Sequence, residues 1–119
     1  MDADELKDRT KQMSLDVFRL VAPIPHGRET DVIVRQIIRS SSSVAANDRS
    51  ACKARSKADF INKIGIVEEE ADETAFWPEY LVDLHFVNQD KAEPLMKEIR
   101  ELVAIFTASG RTAKQNRYN

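Results

Sequence analysis

The stretch 40-SSSSVAANDRSACKARSKADFINKIGIVEEEADETAFW-77 decides the fold. Read as a linker, its four leading serines would cut the chain in two, because serine hydroxyls compete for backbone hydrogen bonds and disfavour a helix interior. Read as helix, they are the small-residue middle of a long element. Spacing favours the second reading: Val34, Ile37, Ile38, Ser41, Val44, Ala45, Asp48, Ala51, Cys52 and Arg55 fall on one helical face, and the phase passes through the serines intact. A helix is therefore predicted over about 29–54, with small side chains at its centre that let a neighbouring helix come close.

Downstream, Ser56 is the expected N-cap of a third helix, with Asp59 at the capping-box position. Phe60, Ile64, Val67, Ala71, Thr74, Ala75, Leu81 and Val82 hold its apolar face, and His85 continues in phase. Pro78 removes one donor and crowds the carbonyl of Thr74, which predicts a bend without a break and an end near Val87. Upstream, Leu6, Thr10, Met13, Val17 and Leu20 mark a first helix over about 4–21, ended by Pro23 and Pro25. Asp90 is the expected cap of a fourth helix with Ala92, Leu95, Met96, Ile99, Leu102, Val103 and Phe106 on its seam, and a frayed basic tail is expected from about 111. Four amphipathic helices with short connections predict an all-α, antiparallel, up-down-up-down four-helix bundle, one domain over 1–119.

Composition agrees. The 119 residues include only three glycines and four prolines, too little turn chemistry for a many-stranded sheet. A lone cysteine excludes an internal disulfide and favours a reducing cytoplasm. The charged N-terminal segment and the lack of a long apolar run predict a soluble, unexported chain with no membrane partner. A net charge of −2 means that nucleic-acid binding would need a local basic surface.

The catalytic and metal motifs fail on inspection. Glu68, Glu69, Glu70, Asp72 and Glu73 suggest a di-metal carboxylate bundle, but neither His26 nor His85 has a glutamate three residues before it. A solvated charged face explains the acids better. Cys52 lies on the core stripe and is expected to be a buried small hydrophobe. The three glycines stand too far apart to cradle a phosphate. No catalytic residue, metal site or cofactor is expected; an enzyme or metal-binding bundle remains the minority alternative.

One constellation carries chemistry. Arg35, Arg39, Arg49 and Lys53 project along a single acid-free stripe of the second helix, spread over about 27 Å of axis. Such a stripe suits a phosphate backbone, RNA or DNA, or an acidic protein partner. The competing reading pairs it with Glu68, Glu69, Asp72, Glu79 and Asp83 of the third helix, within an oligomer whose role is purely structural. A second apolar set, Leu15, Phe18, Ile66, Trp77 and Leu84, exceeds what one bundle needs and predicts a homo-oligomer interface.

The phrases LKDRTKQ (6–12), VRQIIRSSSSVAAN (34–47), ACKARSKADFINKIGIVEEEADET (51–74) and ELVAIFTAS (101–109) closely resemble the four-helix-bundle proteins encoded in intervening sequences of bacterial large-subunit ribosomal RNA genes. The chain is also similar, more remotely, to accessory proteins of diversity-generating retroelements. This resemblance implies an antiparallel bundle, a ring-like homopentamer and association with nucleic acid or ribonucleoprotein. Two residues depart from the pattern. Asp48 stands where an aromatic residue is expected and suggests a pairing with Arg55, and Pro78 stands where leucine is expected.

Overall fold

The computed structural model describes residues 1–116. Four helices follow one another: α1 (Ala3–Val21), α2 (Arg28–Ala51), α3 (Lys57–Asp83) and α4 (Gln89–Asn116). Consecutive helices pack side by side, and α1 closes the bundle against α4 across the smallest of the four interfaces. Met13 and Val17 from α1, Ile37 and Val44 from α2, Val67 and Leu81 from α3, and Ile99, Leu102 and Phe106 from α4 are all fully buried. Each such side chain stabilises the fold by roughly 1.5–3 kcal/mol relative to leaving it in water.

The serine run is helical, as its spacing predicts. Ser40 and Ser41 are buried, and the hydroxyls return to carbonyls one turn back: Ser40 to Ile37 O at 3.3 Å, Ser41 to Ile38 O at 3.2 Å, Ser42 to Ile38 O at 2.8 Å. This internal satisfaction is how a polar run survives inside a helix. The buried face of α2 is rotated slightly from the projected one, so that Thr30, Ile33 and Ser40 join the core while Val34, Ile38 and Ala45 sit at its edge.

Helix ends are where expectation and structure part. Ser56 caps α3 as predicted, its Oγ accepting the Asp59 amide at 3.1 Å, while Asp59 reaches back to the Arg55 amide at 3.0 Å and to Lys63 at 3.1 Å. The other end of α3 comes at Asp83, four residues before the expected Val87. There the Phe86 amide bonds Leu81 O and the His85 amide bonds Val82 O, with His85 left-handed at φ 65°. That is a Schellman closure with histidine where glycine is usual, so no sequence signal announced it. The α4 cap is Asn88, not Asp90: its Oδ1 accepts the amides of Asp90 at 2.8 Å and Lys91 at 3.3 Å.

The helix α4 then runs through Gly110 to Asn116, past the start of the expected tail. Gly110 is buried against α3, where a Cβ would meet the end of the Glu68 side chain, and the helix passes through this glycine without stopping. The chain is likewise unbroken at Pro78, which is buried on the core face of α3. Cys52 is a correction: α2 ends one residue before it, and the side chain is exposed. Asp48 is buried but does not meet Arg55, whose exposed side chain lies beyond the end of α2.

Candidate nucleic-acid interface

The basic stripe of α2 divides into two parts. Arg39, on the flank facing α3, is held by Glu70 at 3.1 Å and by Glu73 of its own chain. Hydrogen bonding to Glu70 is the main reason its guanidinium is pushed above the ordinary range. The acids that engage it are thus Glu70 and Glu73, and the pairing is internal; Glu69, Asp72, Glu79 and Asp83 remain exposed without an ion pair among the described residues. Arg35, Arg49 and Lys53 are exposed and likewise unpaired among the described residues.

Arg49 and Lys53 do not stand alone. They line a groove between α1 and α2 together with Lys7, Lys11 and Leu15 and with the small side chains of Ser14, Ser42, Ala45 and Ala46. Lys7 to Lys11 and Arg49 to Lys53 are each one turn apart, about 6 Å of axis. Two cations of α1 and two of α2 therefore border a trough lined, apart from Leu15, by small side chains. Lys7 is partly engaged by Asp4 at 3.6 Å, an exposed pair of little strength. Ser14, Ser42 and Ser50 add neutral hydroxyls to the lining. Arg35 and Arg39 lie outside this groove, whereas Lys7 and Lys11 were missed because the stripe was projected from α2 alone.

By contrast, Arg9, on the other flank of α1, is fully committed to α4, bonding Glu98 and, at 3.0 Å, Glu101. Hydrogen bonding to Glu98 leads the causes that raise its pKa. Lys11, Arg49 and Lys53 are thus left over after the ion pairs among the described residues are made, and Lys7 is held only by Asp4.

Of the expected interface residues, Leu15, Phe18, Ile66 and Leu84 are exposed, Phe18 by 59%. Trp77 is half-buried, with its indole Nε1 buried and unpartnered. Sequence projection overlooked Val32, Phe76, Tyr80 and Phe86, all exposed. The rings of Phe76, Trp77 and Tyr80 cluster on α3 with centroids 4.9 to 5.8 Å apart. The repeat of aromatics at 76, 77 and 80, opposite and beside the core face, was the available signal.

Among the described residues no group of three His, Cys, Asp or Glu side chains is placed to hold a metal ion. The Cys52 thiol is pushed up by partial burial and by the charge of Asp48, with Lys7 opposing, which disfavours a thiolate. No helix of the described residues is long and apolar enough to cross a membrane.

Fold and groove together define an all-helical four-helix-bundle protein with a basic inter-helix trough. More particularly, the chain belongs to the family described as 23S rRNA-intervening sequence protein, whose pattern it matches over residues 4–108. It is also similar to a solved structure, a protein with unknown function from the S23 ribosomal protein family of Bacteroides thetaiotaomicron. That likeness has a TM-score of 0.83 at 29% identity and covers 93% of this chain and 99% of the other. No curated protein matches the chain. Neither description names an enzymatic activity.

Proposed function

We propose that this protein is a non-enzymatic, homo-oligomeric scaffold that holds nucleic acid by its phosphate backbone in the α1/α2 groove. The observation that carries this reading is the gathering of Lys7 and Lys11 of α1 with Arg49 and Lys53 of α2 along one groove, only Lys7 of the four having an acidic partner among the described residues, the exposed Asp4. Four cations at this spacing suit consecutive phosphates, and contacts of that kind position a nucleic acid without reading its sequence. No aromatic side chain lines the groove, so stacking on unpaired bases plays no part there. The family's name, which refers to an intervening sequence of 23S rRNA, supports RNA as the natural polyanion. Exposed Phe18 on α1, and exposed Ile66 and half-buried Trp77 on α3 with exposed Leu84 just past its end, support self-association, Leu15 being shared with the groove, and family resemblance favours a pentamer. Repetition of the groove around such an assembly would convert weak single-site contacts into useful avidity.

The test replaces Lys11→Glu together with Arg49→Glu and measures binding of mixed-sequence RNA and DNA duplexes alongside oligomer mass. Binding should fall by at least about tenfold with the mass unchanged, since two charge-assisted contacts are lost. Unchanged binding would contradict the groove as the site. Loss of the oligomer in the same variant would favour the second reading, in which the groove receives the exposed acids of α3 from another copy.

A further inference from the structure

We propose that the outward stripe of α3 docks an arginine-rich segment of another protein, whose guanidinium groups stack on the exposed rings of Phe76 and Tyr80 while the carboxylates flanking those rings meet their charge. This surface stands apart from the α1/α2 groove and does not rest on the nucleic-acid reading of it.

Glu69, Asp72, Phe76, Tyr80 and Asp83 follow one another at spacings of three, four, four and three, which places them on one line of the helix. Thr74, Pro78 and Leu81, buried in the core, hold the opposite side, so the line points away from the bundle. Phe76 is 49% exposed and Tyr80 41%, and their ring centroids lie 5.5 Å apart. Half-buried Trp77 stands edge-on to both, at 4.9 and 5.8 Å, one turn on from the Glu73 that Arg39 of α2 engages. Two rings are therefore left in solvent at the middle of the stripe, with acids at either end.

Charge decides the occupant. Glu70 and Glu73, on the α2 side, are taken by Arg39, whereas Glu69, Asp72, Glu79 and Asp83 are exposed and have no ion pair among the described residues. Carboxylates in this position repel a phosphate backbone or an anionic lipid surface. A cation is attracted twice, by the acids and by the negative faces of the rings. Arginine suits the stripe better than lysine, because a planar guanidinium stacks on a ring and meets a carboxylate with two parallel hydrogen bonds. From Glu69 to Asp83 the stripe spans about 21 Å of axis, the reach of about six extended residues. This chain holds no arginine-rich run of its own, no two of its arginines being nearer than four residues, and Arg9, Arg39 and Arg100 are already paired to acids of the same chain. The segment therefore comes from a different protein.

The experiment titrates the full chain with acetylated octa-arginine, and with octa-lysine of the same charge, at about 50 mM salt. Emission of Trp77, the chain's lone tryptophan, reports binding at the rings themselves. Octa-arginine should change that emission and bind about fivefold tighter than octa-lysine. Phe76→Ala with Tyr80→Ala, both at exposed positions, should lower octa-arginine affinity about tenfold and erase the preference over lysine. Tyr80→Phe keeps the ring and should bind as the unaltered protein does. Asp72→Asn with Asp83→Asn should weaken both peptides, and Lys11→Ala with Arg49→Ala in the groove should weaken neither. Equal affinity for the two peptides, affinity indifferent to Phe76→Ala with Tyr80→Ala, or no binding at all overturns the proposal and leaves the groove reading standing. A fall in the protein's own oligomer mass with Phe76→Ala and Tyr80→Ala overturns it as well, since a second copy is then the occupant of the stripe.

Discussion

The hydroxyl of Thr74 on α3 meets the hydroxyl of Ser40 on α2 at 3.0 Å, with both residues fully buried. Thr74 also reaches the carbonyl of Glu70 at 2.7 Å, and Ser40 that of Ile37 at 3.3 Å. This contact is where the serine run meets α3, and it explains why the centre of α2 is small. Thr74→Val should cost about 1 kcal/mol, since a buried neutral hydrogen bond is lost without a change of shape. Ser40→Leu should cost about 1–3 kcal/mol by forcing the helices apart. Chemical denaturation of the two variants checks both, and a neutral Ser40→Leu would contradict close packing here.

His85 occupies the left-handed region at the end of α3, a conformation that costs a residue with a side chain roughly 1–2 kcal/mol and glycine almost nothing. Its side chain is exposed. Replacing His85→Gly should therefore raise stability by about 1 kcal/mol, offset in part by the greater freedom of glycine in the unfolded chain. A fall in the thermal midpoint would show that His85 makes contacts worth more than the strain.

Asp48 predicts a pH-dependent stability. Its folded pKa is raised, so the folded state holds more protons than the unfolded chain between the two pKa values, and stability falls as pH rises through that window. Above the folded pKa the penalty is complete; below the unfolded pKa it is absent. Asp48→Asn should stabilise the protein at neutral pH by on the order of 1 kcal/mol and have little effect in strong acid. Urea unfolding at the two pH values measures this, and equal effects at both would contradict the assignment.

Asp59 has the opposite sign. The Arg55 amide, then Lys63, hold its carboxyl below the usual range. The stability it contributes is present above the unfolded pKa and is lost as pH falls through the lower folded value. Asp59→Asn should thus weaken the protein at neutral pH and not in strong acid, the reverse of Asp48→Asn. Acid titrations of the two variants side by side would expose any error in either sign.

Self-association is tested by mass. At micromolar concentration, light scattering should give a multiple of the chain mass, and Phe18→Glu should lower it, because Phe18 is the most exposed of the five interface candidates. A monomer for the unaltered chain would contradict the oligomer.

Most of the fold was legible because each helix carries an uninterrupted apolar period, and because the serines of 40–43 keep it. Helix ends were less so: the stop after Asp83 rests on a backbone closure at His85 that has no residue signature, and Gly110, usually a stop, lies inside α4 against α3. The candidate site was half legible. Arg49 and Lys53 could be projected from one helix, but a groove belongs to two, and the contribution of Lys7 and Lys11 depends on how α1 packs on α2. The capture of Arg39 by Glu70 and Glu73 depends in the same way on the register between α2 and α3.

The salt dependence of duplex RNA binding tests the central claim most directly. If Lys7, Lys11, Arg49 and Lys53 each neutralise a phosphate, the logarithm of affinity should fall with the logarithm of salt at a slope of roughly −3 to −4, and Lys11→Ala should reduce that slope by about one. A slope near zero, or one that Lys11→Ala and Arg49→Ala both leave unchanged, would contradict phosphate binding in the α1/α2 groove.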